Sequence, residues 1–503
     1  EFRRVLFRSG NLLALNVSDG TIGQINLGAM MDAGGVINID ANGSVRYGAP
    51  IFAPAFSQSL AGTGEFWLDG ATTQITGNNS DFAGTFRVTS TTFVGSNQNA
   101  FGSANVINGG NLLLFDVNIA NEISGGGQIT MMGGGLTSRS VLSGVNTYSG
   151  GTLVTNGGST LALLNDSAAG TGAVTINGDA FLELDFGAGG GDFTNLITGA
   201  GALRKTGAGT LTVSNAANDY AGGTEIDNGV LRITDFDALG AGPVIANADG
   251  ALLYDYSGSA SQLFTAPFLT GDGQFIKDGS GTIVISNANT WTGGAQILDG
   301  RVGLNNGQGL GTGSIDIAQG ATLGIGGVTL ANDVTGAGQI VKTASNTAIL
   351  SGVNTMTGGI VIEDGAIEVA SGASLGSGTV DIQGGASLLV SNSADTTVNA
   401  SIQGVGAFVK AGAGRAELAA TNGLGGVVSV QAGTLAVGGA SNIGLSDVEV
   451  LTGATLEISR SVGDASLNNR IYGDGRLLKT GTSTVTINGA NTYTGGTQIS
   501  GGA

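Results

Sequence analysis

Histidine is absent from this 503-residue chain, and so is cysteine. Without histidine there is no Ser-His-Asp triad, no histidine zinc site and no histidine general base. Without cysteine, neither disulfides nor thiolate metal sites hold the fold together, which also suits a chain kept unfolded while it crosses an oxidising compartment. Proline is scarce, with 4 residues against 94 glycines, so a collagen repeat is excluded. Charge is scarce as well, at 11%, yet scattered acids leave a net −19. Such a chain repels nucleic acid and anionic lipid. No apolar run reaches the ~18–20 residues of a membrane helix, so direct membrane insertion is not expected. An apolar content of 41% argues equally against disorder. Residues 1–9 carry Arg3, Arg4 and Arg8 around an apolar stretch too short for a secretory signal. They read as a cloning or assembly scar and are left out of the fold argument.

What is present is a phrase that returns. It reads Asn-Thr-Tyr-Ser-Gly-Gly at 146–151, Asn-Asp-Tyr-Ala-Gly-Gly at 218–223 and Asn-Thr-Trp-Thr-Gly-Gly at 289–294. Further copies stand at 354–359 and 491–496, with degenerate ones at 422–426 and 82–85. Marked by its large apolar residue, the series runs Phe82, Tyr148, Tyr220, Trp291, Met356, Leu424 and Tyr493, at intervals of 65 to 72 residues. A period that survives seven copies is an architecture, because each copy must offer its neighbours the same faces.

Each copy of about 68 residues holds several short strands of alternating apolar residues. One follows a Gly-x-Gly turn and ends in Lys205, Lys277, Lys342, Lys410 or Lys479. A second contains Leu211 and Val213, Ile283 and Ile285, or Val485 and Ile487. A Leu-Gly turn gives an independent series with the same period. No stretch sustains the 3.6-residue period of a capped helix. Strands this short bury a core only when coiled and stacked, and three coils per copy gives about 23 residues per coil. The expected fold is all-β: a right-handed single-stranded parallel β-helix of about 21 coils, a rod on the order of 100 Å long. The inward alternates are expected to stack at three-coil intervals. A β-propeller is the rival, and its blades of roughly 40–50 residues fit the period poorly. The domain reading is degenerate coils over 10–59 and seven copies over 60–503, the last truncated.

The combined pattern Gly-Ala-Gly-x-Leu-x-Lys-Thr-Gly-x-Gly-Thr-Leu-Thr-Val-Ser, running into Asn-x-Tyr-x-Gly-Gly-Thr at 199–224 and again at 473–497, resembles the autotransporter-associated β-strand repeat. The resemblance covers about residues 60–503, although the copies at 60–130 lack the lysine. It implies the passenger of a Gram-negative type V secretion system, displayed at the cell surface or released. The implied role is an adhesin-like stalk that helps draw the chain across the outer membrane. The implied partners are the protein's own C-terminal outer-membrane β-barrel, outside this sequence, and glycans or proteins of host or neighbouring cells. On this reading the chain is an internal piece of a longer protein, with a ragged last coil ending at Ala503.

The lysines read as strand-end residues whose stems cover apolar surface while their amines stay in water. Asn146, Asn218, Asn289, Asn354, Asn422 and Asn491 read as turn residues bonded to their own backbone. The aromatic two positions later is expected to pack inward; an exposed row would instead suggest carbohydrate stacking. No Gly-x-Gly continues into a phosphate-binding motif. A single calcium-like run at 187–192 carries no weight, so no cofactor or metal is expected. The alternative to a scaffold is a β-helix polysaccharide lyase or glycoside hydrolase working with Asp and Glu. Its candidates are Asp235, Asp237 and Asp255, which break the repeat pattern: the next copy has Asn306 and Gln308 at the first two positions. Asp235 and Asp255, 20 residues and about one coil apart, would stand ~5 Å apart, the separation of a retaining pair. The competing reading, preferred here, is solvated turn carboxylates with no catalytic role.

Overall fold

The structure, a computed structural model, describes residues 23–24, 36–49, 55–70, 72–95, 97–133, 138–155, 157–264, 269–438 and 442–503. The stretch read as a scar, residues 1–9, lies outside them, as does much of 10–59. The chain forms two compact units, residues 1–252 and 253–503. Each is a parallel β-solenoid.

Alternation is what builds it. In Thr282–Ile285 the second and fourth residues, Ile283 and Ile285, are buried while the others stay partly open. The next coils do the same in register, so Ile283, Val302, Leu323 and Ile340 occupy successive rungs of one inward column, each fully buried. Each such side chain contributes roughly 1.5–3 kcal/mol of burial, and the backbone pairs with the coils above and below. Coils run from 17 residues, Val106 to Ile123, to 23, Val174 to Ile197. Every described pairing is parallel, for example Ile340 on Ile360 and Ile360 on Val380. Antiparallel propeller blades are thereby excluded. Among the described residues the helical content includes two single 3-10 turns, Phe236–Leu239 and Gly372–Leu375. No helix there is long and apolar enough to cross a membrane.

One expectation is corrected. A copy does not close after three coils; it runs three coils and one further side. Lys277 pairs with Ile297, then Ile317, then Gly336, but Lys342 stands one strand beyond Gly336, on the next side. Lys342 likewise pairs with Ile362, Ile382 and Gly404, and Lys410 stands on the side after that. The side that carries Gln274–Asp278 resumes later as the sheet containing Lys479. Between the two, Thr355 and Thr357 donate to Val334 and Gly336, Ser377 donates to Met356, and Gly372 bonds Thr396. The coil therefore has three sides, and equivalent residues wind around them instead of stacking. Gly336 and Gly404 make the corner at φ +97° and +107°, where a Cβ would strike the backbone of the coil before at 2.2 Å.

The core changes along the chain. Around residues 47–101, where the lysine is missing, the interior is a run of rings, with Tyr47, Phe56, Phe66 and Phe86 at 4.9–5.5 Å between centroids. Leu211 and Val213 are buried as expected. Val485 is half-buried and Ile487 is 38% exposed, because the coil they belong to is covered from one side.

Candidate functional site

The lysines are not at the surface. Lys205, Lys277, Lys342, Lys410 and Lys479 are all buried, in phase with Leu203, Phe275, Ile340, Phe408 and Leu477 two residues earlier. Strand alternation turns them inward, and each ammonium reaches the corner, where carbonyls of two coils converge. Lys410 Nζ donates to the carbonyls of Ala411 at 2.6 Å, Gly412 at 2.8 Å and Ala432, one coil on, at 3.2 Å. Lys479 holds Thr480, Gly481 and Gly501, and Lys342 holds Ala344 and Asp364. The expectation of a wet amine is thus overturned, and with it any basic stripe. Asn392 makes the same two-coil contact with its amide, to Ala394 at 2.7 Å and Arg415 at 3.0 Å. Burial pulls the pKa of Lys205, Lys277, Lys342 and Lys410 below the usual lysine value. Asp185, Asp299 and Asp364 partly offset this at the first three.

The recurrent asparagines bond across coils, not within their own turn. Asn354 Oδ1 accepts from Val334 N at 2.8 Å, one coil back, and its Nδ2 donates to Ser374 O at 2.6 Å, one coil on. Asn146, Asn218 and Asn289 do the same. In the degenerate copy Asn422 keeps the backward bond to Ile402 N, but its amide turns to Ala420 O. Asn79, not singled out from sequence, latches Leu60 N and Ala100 O in the earliest copy. A second series was also missed: Asn121, Asn195, Asn332 and Asn469 each donate to two carbonyls of the preceding coil. Its signal is an Asn two residues before the Ile or Val whose amide the main series holds.

The aromatics Tyr148, Tyr220 and Trp291 of the phrase pack inward, as expected, whereas Tyr493 in the last copy stays half-exposed. Tyr148 and Tyr220 are fully buried, and each hydroxyl meets a threonine, Thr152 or Thr224, at 2.6 Å. Trp291 donates to Gly294 O at 3.1 Å. Burial pushes both tyrosine pKa values well above 10.0.

The three carboxylates fall in two places. Asp235 caps the turn Phe236–Leu239, its side chain accepting from Asp237 N at 3.1 Å. Asn97, Asn165, Asn306 and Ser371 do the same in other copies. Asp237 shares that turn and is exposed. Asp255 belongs to the other unit, half-exposed beside Lys277. A cleft of about 430 Å³ lies in residues 422–485, lined by Val437, Ile443, Ile458, Leu467 and Val485. Its lining holds no Asp or Glu, and its one cation, Arg460, donates to Gly463 O at 2.8 Å. Among the described residues no cluster of metal-ligating side chains occurs.

What recurs, then, is a set of latches tying each coil to the next, the hallmark of a repeat scaffold. Six segments, residues 140–163, 203–233, 275–304, 340–369, 408–437 and 477–503, match the family described as Passenger-associated-transport-repeat. The chain thus carries recurring copies of the passenger-associated-transport repeat between residues 140 and 503, which supports a passenger displayed at the cell surface by way of the outer membrane. It is similar to the Adhesin BmaC autotransporter of Brucella suis biovar 1 (strain 1330), 29% identical over 213 residues. That match covers 36% of this chain and 6% of the relative. No solved structure matches the chain.

Proposed function

We propose that this segment is the stalk of a surface-displayed, adhesin-like passenger, and that its coil-by-coil folding outside the cell helps draw the chain through the outer membrane. The observation that carries this is the latch set. Each copy supplies an asparagine and, in most copies, a lysine whose bonds satisfy the neighbouring coil. Stability in such a stack is a sum of neighbour terms, so folding propagates once begun and opposes return through a pore. The partner on the secretion side is the protein's own C-terminal β-barrel, encoded beyond this sequence. Similarity to an adhesin supports contact with glycans or proteins on other cells, and a non-enzymatic role.

The test uses the full-length protein on cells. A core-breaking Ile340→Asp change should sharply lower the passenger displayed per cell, while an outward change such as Thr347→Ser leaves display intact. Equal display from both would count against the secretion role. Attachment that persists after residues 60–503 are removed, with display preserved, would count against the adhesin-like role.

A further inference from the structure

Among the described residues of the unit formed by residues 1–252, the seven paired strands of one side carry no ionisable group. Its seven rungs are Thr73–Ile75, Thr91–Gly95, Asn111–Phe115, Gln128–Met132, Thr152–Thr155, Val174–Ile176 and Ile197–Thr198, and none contains Asp, Glu, Lys or Arg. In a chain of net charge −19 this side stands apart. The preceding side holds Arg46, Glu65, Asp69 and Arg87 in ion pairs. Outward positions on these strands are uncharged, polar at Gln74, Thr91, Asn111 and Gln128 and apolar at Phe93, Leu113 and Phe115, which are half-exposed.

The two rings are arranged as a surface. Gly95 is the rung partner of Phe115, and it follows Phe93 by two residues on the same strand. With no side chain at Gly95, the Phe93 ring lies down over it; a Cβ there would meet ring carbons at 2.8 and 3.4 Å. The ring thereby reaches Phe115, with centroids 6.3 Å apart and planes 29° from parallel. One face of Phe93 rests on the sheet and the other is turned outward. Gln74, the rung partner of Phe93 one coil back, is exposed and brings its amide to 3.7 Å from the same point above Gly95.

We infer that Gln74, Phe93 and Phe115 form a binding platform for a neutral oligosaccharide. The outward face of Phe93, with Phe115 beside it at 6.3 Å, offers the apolar ring surface on which the C–H face of a pyranose stacks. The amide offers a donor and an acceptor for its hydroxyls. An anionic glycan would find no counter-charge on these seven strands, and the surrounding acidity repels it. The inference deepens the surface-contact reading above and rests on it.

Purified protein is titrated with chitotriose, cellotriose and maltotriose, with sialyllactose as the anionic comparison, and binding is read by saturation-transfer NMR. At least one neutral trisaccharide should receive saturation from phenylalanine protons, and sialyllactose should not. Phe115→Ala and Phe93→Ala should weaken binding at least tenfold, whereas Phe115→Tyr retains it. Gly95→Val keeps both rings but lifts one off the sheet, and should also weaken binding at least tenfold. These residues face outward, so the melting temperature of the Phe variants should stay at the wild-type value. Binding of none of the neutral sugars, or binding unchanged by Phe115→Ala, overturns the proposal. So does a ring-dependent self-association in sedimentation with no sugar bound. Sugar binding without cell attachment would leave the platform standing and remove the adhesin-like role instead.

Discussion

A buried lysine is costly unless its charge is met, and here it is met by backbone. At Lys410 three carbonyls from two coils surround the ammonium. Lys342→Met removes the donor and leaves inward carbonyls of Ala344 and Asp364 unpaired. A loss of about 2–4 kcal/mol in urea unfolding is expected, from ~1–3 kcal/mol per stranded polar group. A neutral or stabilising result would mean that desolvation of the charge outweighs its bonds. The pH profile follows from the shifts. Lysines held below 10.5 contribute stability that is complete above 10.5 and is lost as pH falls through their lowered values. Tyr148 and Tyr220, raised above 10.0, contribute stability that is complete below 10.0 and is lost as pH rises through their raised values. The urea midpoint should therefore climb from neutral pH towards about pH 10 and fall beyond it. A steady fall from about pH 8 upward would contradict this.

At the scale of the coil, the asparagine latch carries two bonds across three coils. Asn354→Ala leaves Val334 N and Ser374 O without their partner, and should cost about 2–4 kcal/mol. Asp235→Asn should change stability by no more than ~0.5 kcal/mol, because Asn165 and Asn306 cap the same turn elsewhere. Loss of a polysaccharide-cleaving activity in that variant would instead restore the catalytic reading of Asp235. The strands were legible because period-2 alternation is a local property that burial enforces. The lysine parity was equally legible, since Ile340 and Lys342 share a side of their strand. The habit of leaving charge in water hid it, and only the converging carbonyls of the next coil make the inward position tolerable. The cross-coil reach of Asn354 could not be read locally, because its partners lie 20 residues away in each direction. The platform of Phe93 and Phe115 was invisible for a related reason: it depends on which residue stands opposite Gly95.

For the molecule as a whole, the lysine cages redistribute charge. The chain has 37 acids against 18 lysines and arginines, and the five lysines named above are all internal. The solvent-facing cations are therefore arginines, several of them tied across coils, as Arg139 to Glu183 and Arg415 to Glu457 at 2.7 Å. Acylation with an amine-reactive ester should leave these five lysines unmodified in the native protein and modify all of them in urea. Mass mapping that finds Lys277 or Lys410 modified without unfolding would contradict the cages.

The extra side in each copy has a consequence for lineages that gain or lose copies. Within residues 253–503, the step from Lys342 to Lys410 spans 68 residues and turns the phrase by one side of a three-sided coil. Unequal crossing-over between two such phrases would excise a copy and splice like onto like, so the shortened chain still folds. Everything distal to the splice within that unit would then point along a new azimuth, a third of a revolution away. Only the loss or gain of three copies restores the original bearing. Copy number in this protein thus encodes direction as well as reach.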